Sequence, residues 1–143
     1  MGNGKPTLGL GKPVTATLAA AGEPRLTLEQ QRAQYAWGKV LEAQRLGGEY
    51  TNLVKAAPAL IVNNGLMQAL AFWQSKGKAH HLALIAHLLG WLQGRGLGIG
   101  ASYAEAMPAL YGMASGHFRR ATDEALALLR WLRQLAAAAE TRR

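Results

Sequence analysis

Residues 58–78 read PALIVNNGLMQALAFWQSKGK, and this stretch decides the fold class. Its apolar residues recur every three or four positions, as on the buried face of a helix, but Asn63, Asn64 and Gly65 interrupt the pattern. Asn and Gly readily adopt the left-handed backbone that ends a helix, and an Asn side chain can cap the next one. Because no acid, histidine or lysine lies within one helical turn of the triplet, we interpret it as a joint between two helices rather than as a ligand site.

The joint leads to two further expectations. Pro58 falls inside the helical pattern before the joint, so we expect a kink or a restart of the helix there. Asn64 is expected to cap the following helix, so that Asn64→Ala should lower the free energy of unfolding by about 1 kcal/mol. Pro58, Asn63, Asn64 and Gly65 are therefore assigned a structural role.

The other segments are also helical. Thr27 and Gln30 form a capping-box pattern that begins a first helix, which Gly47 and Gly48 end. Further helices are predicted over about 79–93, over a short segment that starts at a Ser102 and Glu105 capping box and is interrupted at Pro108, and from about residue 116 to 139. No alternating run between turn signals predicts a hairpin. The sequence predicts an all-α fold, a compact bundle of five or six helices over residues 26–143.

The overall composition limits the possible functions. The 143 residues suggest one domain, and the absence of cysteine excludes a disulfide framework and a thiolate site. Sixteen lysines and arginines against eight acids give a net charge of +8, which favours anionic partners. Apolar runs are too short to span a bilayer and the N-terminus has no apolar signal region, so no membrane contact and a cytoplasmic location are expected.

The N-terminal segment, residues 1–25, differs in composition from the rest. GNGKP at residues 2–6 recurs as GLGKP at 9–13, and such a density of Gly and Pro disfavours helix and strand alike. Pro6 and Pro13 occupy the position where a phosphate-binding loop needs Ser or Thr. Residues 1–25 are predicted to be a basic tail that is flexible or becomes ordered on a partner.

The candidate catalytic groups are scattered. Asp123 and Glu124 diverge by about 100° on a helix and cannot flank one substrate bond, although Asp123 can pair with Arg119 one turn earlier. His80, His81 and His87 lack the spacing of a metal site. We expect no catalytic residue, no metal, no cofactor and no small-molecule substrate.

The last predicted helix carries a stripe of arginines. Arg119, Arg130 and Arg133 fall within about 60° of one another on a helical wheel, opposite the Ala and Leu face, and Arg120 lies beside them. The loop GRGLGIG at 94–100 is predicted to be a mobile connector, from which an arginine could reach a phosphate. A solvated polar face explains the stripe about as well, but the net charge favours an anionic partner. The candidate nucleic-acid-binding residues are Lys76, Lys78, Arg95, Arg119, Arg120, Arg130 and Arg133.

The helix predicted over 79–93 is apolar around more than half of its circumference. Such a helix is central to its domain or contributes to a subunit interface. Trp73, Leu88 and Trp91 are the candidate interface residues, because large aromatic and aliphatic side chains anchor interfaces.

Three blocks, LTLEQQRAQYAW, EYTNLVKAAPALIVNNGLMQALAFWQSKGK and HFRRATDEALALLRWLRQLA, occur in this order. They strongly resemble the small helical subunit of type III-B CRISPR effector complexes, the Cmr small-subunit family, over residues 26–136. Residues 1–25 and the glycine loop depart from the family pattern.

The resemblance implies an all-helical, non-catalytic scaffold that stacks in several copies as a minor filament and helps to hold target RNA against the crRNA. The implied partners are the other subunits of the Cmr complex, further copies of the chain and the crRNA–target RNA duplex. The alternatives are a free-standing basic nucleic-acid-binding protein, which would bind RNA or DNA tightly on its own, and a small helical enzyme.

Overall fold

The computed structural model describes residues 25–141, and within this range the chain forms six α-helices and no strand. The helices are α1 Leu28–Ala43, α2 Gly48–Asn64, α3 Leu66–Lys76, α4 Ala79–Gly94, α5 Tyr103–Gly112 and α6 Ser115–Thr141, with a 3-10 turn Gln44–Leu46 between α1 and α2. The predicted all-α fold is confirmed. The predicted basic tail lies, apart from Arg25, outside the described residues. No helix between residues 25 and 141 is long and apolar enough to cross a membrane.

The two predicted capping signals begin helices. The Thr27 hydroxyl accepts a hydrogen bond from the Gln30 amide at 3.1 Å, and the Thr27 amide donates to the Gln30 side chain at 2.7 Å, which completes a capping box. At α5, the Ser102 hydroxyl accepts from the Glu105 amide at 3.2 Å. Each helix therefore begins where a short polar side chain satisfies an amide that the helix leaves unpaired.

The joint between α2 and α3 consists of one residue. Gly65 adopts φ 89° and ψ 159°, a conformation that is essentially restricted to glycine, and it is both the last cap of α2 and the first cap of α3. Its amide donates to the Ile61 carbonyl at 2.7 Å. Asn64 is exposed, ends α2 and makes no side-chain hydrogen bond within residues 25–141, so the expectation that it caps α3 is wrong.

Both prolines lie inside continuous helices. α2 runs through Pro58 and α5 runs through Pro108, so the predicted restart and interruption do not occur. Ala57 and Ile61 next to Pro58 are buried in the core, as are Ala106 and Leu110 next to Pro108. Burial of these faces offsets the hydrogen bond that each proline removes, which propensity alone does not anticipate.

The helix α4 is the central element of the fold. It packs against α1, α2, α3, α5 and α6, and α6 also packs extensively against α1 and α2. Trp73, Leu88 and Trp91 are only 1%, 0% and 8% exposed within the chain itself. The prediction that they form a subunit interface is therefore wrong, and the apolar surface of α4 is explained by its central position.

A polar pair lies inside this core. The Tyr50 hydroxyl is 2.8 Å from Nδ1 of His87, and both residues are buried. Burial, together with the nearby charge of Lys39, lowers the pKa of His87 to about 4. The imidazole is therefore neutral at physiological pH, and Nδ1 accepts the hydroxyl proton of Tyr50.

The joint geometry generates the first prediction. Gly65→Ala should lower the free energy of unfolding by about 1–3 kcal/mol, because a Cβ is strained at this backbone conformation. Asn64→Ala, its neighbour and matched control, should change it by less than about 0.5 kcal/mol. Chemical denaturation of both variants measures the difference, and an equal loss in the two would contradict the one-residue joint.

The buried histidine generates a pH prediction. A pKa lowered to about 4 in the folded chain, against about 6.5 in the unfolded chain, means that His87 favours folding fully above pH 6.5 and loses this contribution as the pH falls toward 4. Between pH 7 and pH 5, wild type should lose about 1–2 kcal/mol more stability than His87→Gln, which does not titrate. Denaturation of both proteins at the two pH values measures this, and equal losses would show that His87 does not contribute.

Candidate nucleic-acid interface

The predicted arginine stripe lies on one uninterrupted helix. Arg119, Arg130 and Arg133 are all exposed on α6, and their fourteen-residue span corresponds to about 21 Å of helix. None of the three makes an ion pair with another described residue. Their guanidiniums are therefore available to an external anion.

A cavity of about 460 Å³ lies between α6 and the loop that follows α4, and we call it the loop cavity. It brings Arg95 of the loop and Arg120 of α6 to one place, although they are distant in sequence. Arg95 also lies over the Trp91 ring, with its guanidinium 5.9 Å from the ring centroid. The residues that line the loop cavity are Arg32, Arg95, Gly96, Leu97, Arg120, Asp123 and Glu124.

Hydrogen bonds attach this loop to its neighbours, where the sequence led us to expect a mobile connector. The Gly100 amide donates to the Gln93 side chain at 2.7 Å, and the Leu97 carbonyl accepts from Nε2 of His117 at 2.7 Å. Because a carbonyl only accepts, Nδ1 of His117 is the unprotonated nitrogen, and it accepts from Arg120 at 2.7 Å. The contact orients Arg120 at the wall of the loop cavity.

An ion-pair network supports both sides of α6. Glu124 accepts hydrogen bonds from Nε and Nη2 of Arg32 at 2.7 and 2.8 Å and from the Trp91 indole at 2.7 Å. These bonds, first those from Arg32, hold the pKa of Glu124 below its usual range. Arg32 also donates to Glu29 at 2.7 Å, and Glu29 accepts from the Trp131 indole at 3.3 Å. The network joins α1, α4 and α6.

A second cavity of about 390 Å³ lies further along α6, and we call it the tryptophan cavity. Arg130 and Arg133 of the stripe line it together with the half-buried ring of Trp131. The remaining lining residues are Glu29 and Gln134. The stripe is thus associated with two concave sites rather than with a flat helix face.

The other two candidates lie elsewhere. Lys76 ends α3 and lies over the Phe72 ring at 5.2 Å, and Lys78 precedes α4. The sixteen residues of α4 separate Lys78 from Arg95 by about 25 Å. Asp123 does not form the expected ion pair with Arg119, and within residues 25–141 no three potential metal ligands come together.

Sequence reasoning missed Arg32, Glu29 and Trp131 as parts of the interface. Arg32 and Glu29 reach α6 across about a hundred residues of sequence, which no local pattern reveals. Trp131 had a local signal, because Arg130, Trp131 and Arg133 interleave an aromatic ring with basic residues, a pattern typical of nucleic-acid binding.

Known proteins resemble this chain along nearly all of the described helices. The family model described as CRISPR-associated protein (Cas_Cmr5) matches residues 28–139. The chain belongs to the Cmr5 family. The family resemblance inferred from the sequence is therefore confirmed.

Two relatives of this Cmr5-family chain come from Thermus thermophilus. A protein named CRISPR system Cmr subunit Cmr5 is 38% identical over 117 residues, which covers 78% of this chain and 95% of that protein. The crystal structure of a CRISPR-associated Cmr5 family protein matches with a TM-score of 0.68 and 34% identity, and covers 80% of this chain and 97% of the other. The helical bundle, with its α6 face, is the part that this Cmr5-family chain shares with them.

The ion-pair network generates a stability prediction. Arg32 and Glu124 have side chains only 15% and 14% exposed, so removal of the carboxylate charge leaves a mostly buried guanidinium without its main partner. Glu124→Gln should lower the free energy of unfolding by about 1–3 kcal/mol. Glu49→Gln, at a side chain that is 74% exposed, is the control and should change it by less than about 0.5 kcal/mol. Thermal and chemical denaturation compare the two, and a loss no larger than that of the control would contradict the role of the network.

Proposed function

We propose that this Cmr5-family chain is a non-catalytic subunit of a cytoplasmic Cmr effector complex that holds target RNA against the crRNA. The proposal rests chiefly on one observation, the exposed arginines along α6 that border the loop cavity and the tryptophan cavity. The name of the Thermus relative, a subunit of the Cmr system, supports the assignment to a complex. The partners are other subunits, further copies of the chain and the crRNA–target RNA duplex.

The arginines of α6 are suited to phosphate contacts. Their guanidiniums are exposed and unpaired, whereas Glu29 and Glu124 on the same side are engaged by Arg32 and by indole N–H groups. A positive surface therefore remains along about 21 Å of helix. Contacts to phosphates are independent of sequence, as this role requires when the crRNA supplies the specificity by base pairing.

We propose further that copies of the chain stack as a minor filament. Stacked copies would repeat the arginine stripe, and weak contacts of each copy would add up as in any multivalent binder. Exposed apolar side chains support contacts with other chains: Trp37 and Leu41 lie one turn apart on α1, on its face away from the core, and Tyr111 on α5 is 70% exposed.

The use of the acids supports a non-catalytic role. Glu124 accepts three hydrogen bonds, and its pKa is lowered by Arg32 and Trp91, so it is not suited to act as a general acid. Glu105 is engaged at the start of α5, where it accepts from the Ala101 amide and the Ser102 hydroxyl. We accordingly propose that cleavage and signalling belong to other subunits, and that the chain has no cofactor and no small-molecule substrate.

The test is the salt dependence of target-RNA binding by reconstituted complexes. Replacement of Arg119, Arg130 and Arg133 by Ala should leave folding intact, because all three are exposed, and should weaken target binding. The slope of log affinity against log salt should become shallower by up to about 0.7 for each phosphate that is no longer neutralised on a single strand.

A charge-matched variant provides the control. Replacement of Lys55, Lys76 and Lys78 by Ala removes the same charge from exposed positions off α6 and should leave the slope near that of wild type. Equal slopes in the two triple variants would contradict a path along α6 and indicate a general effect of net charge. Tight RNA binding by a single isolated copy would favour the free-standing nucleic-acid-binding protein instead.

A further inference from the structure

Trp131 differs from the two core tryptophans in its surroundings. Trp73 and Trp91 are packed inside the bundle, whereas the Trp131 ring is half-buried and forms a wall of the tryptophan cavity. The volume of this cavity, about 390 Å³, lies within the range of small-molecule sites in proteins. An indole that faces such a space can receive a planar group.

The ring is also held in place before any ligand arrives. Its indole N–H donates to Oε2 of Glu29 at 3.3 Å, and Oε1 of Glu29 accepts from Arg32 at 2.7 Å. Arg32 is itself fixed by its two bonds to Glu124. Because the indole edge is anchored and the ring is already ordered, a ligand that stacks on its face loses little affinity to the ordering of this side chain.

The groups around the ring define the class of ligand. Arg130 and Arg133 are exposed cations on the same cavity, and an aromatic platform between cations is the arrangement that binds single-stranded nucleic acid. The amide of Gln134 offers both a donor and acceptors to the edge of a base without requiring one base identity. A phosphate alone would make no use of the ring or of the amide.

We propose that the tryptophan cavity is a stacking site for one unpaired base of single-stranded RNA, with Trp131 as the platform and Arg130 and Arg133 on the adjacent phosphates. The inference rests on the proposed function in that the same strand runs along α6. It adds an interaction that a path of phosphates alone does not contain. A base inside a continuous duplex has no free face, so the occupant is an unpaired nucleotide.

The experiment measures binding of the full chain to two probes by fluorescence anisotropy at several salt concentrations. One probe is a short single-stranded oligoadenylate, and the other is an abasic ribose-phosphate strand of the same length. Wild type should bind the oligoadenylate about 5- to 100-fold more tightly than the abasic strand, as expected for one stacked base. This comparison needs no variant, so it remains decisive even if a substitution affects folding.

Three variants then test the ring itself. Trp131→Leu should lose that preference of about 5- to 100-fold at every salt concentration, with an unchanged salt slope, and Trp131→Phe should keep most of it because it retains an aromatic face. Trp37→Leu is the matched control, since Trp37 is an exposed tryptophan on the opposite face of α1 and does not line either cavity. It should bind both probes as wild type does.

The possible outcomes separate this inference from the proposed function. Equal binding of the two strands by wild type, or full preference in a folded Trp131→Leu chain, would overturn the stacking site. The variant lacking Arg119, Arg130 and Arg133 should instead weaken binding of both strands and make the salt slope shallower. A selective loss in Trp131→Leu with an unchanged slope in the arginine variant would support stacking and contradict the phosphate path.

Discussion

The carboxylate of Glu124 is the constraint on which the α6 face depends. It accepts two hydrogen bonds from Arg32 of α1 and one from the indole of Trp91 of α4, and so it fixes three helices at one point. A mostly buried guanidinium without such a partner would be strongly unfavourable. The same Arg32 orients Glu29, and Glu29 orients Trp131, so the geometry of both cavities follows from one buried ion pair.

Close packing of α1 against α4 makes this arrangement possible. A Cβ on Gly90 would lie 2.8 Å from the Tyr35 hydroxyl, so the absence of a side chain at this position allows the two helices to approach. The Tyr35 hydroxyl donates to the His87 carbonyl at 2.7 Å, and the Tyr35 ring lies 5.1 Å from that of Trp91. Trp91 is thereby positioned with its indole N–H directed at Glu124.

The distribution of charge on this side of the molecule follows from the same contacts. Glu29 and Glu124 are turned toward Arg32 and two indoles, while Arg119, Arg130 and Arg133 remain exposed and unpaired among the described residues. A helix face with nearly balanced formal charge thus presents mainly cations to an approaching ligand. Binding of a polyanion requires this separation more than it requires a high net charge.

The sequence by itself determined the helical class, the capping boxes, the position of the joint, the stripe along α6 and the family. These features depend on local chemistry and on the helical period, which are readable within one or two turns. The Asn64 cap and the breaks at Pro58 and Pro108 were wrong because propensity is local, whereas burial on both sides of each proline keeps the helix continuous.

Only the tertiary structure decided which apolar surfaces were already covered and which charges were already paired. Periodicity shows that a residue has a buried face but not what covers it, so Trp73, Leu88 and Trp91 looked like interface residues until the bundle enclosed them. Arg32 meets Glu124 across 92 positions of sequence and Trp131 meets Glu29 across 102. Such contacts are fixed by the packing of whole helices, which depends on the shapes of all the faces at once.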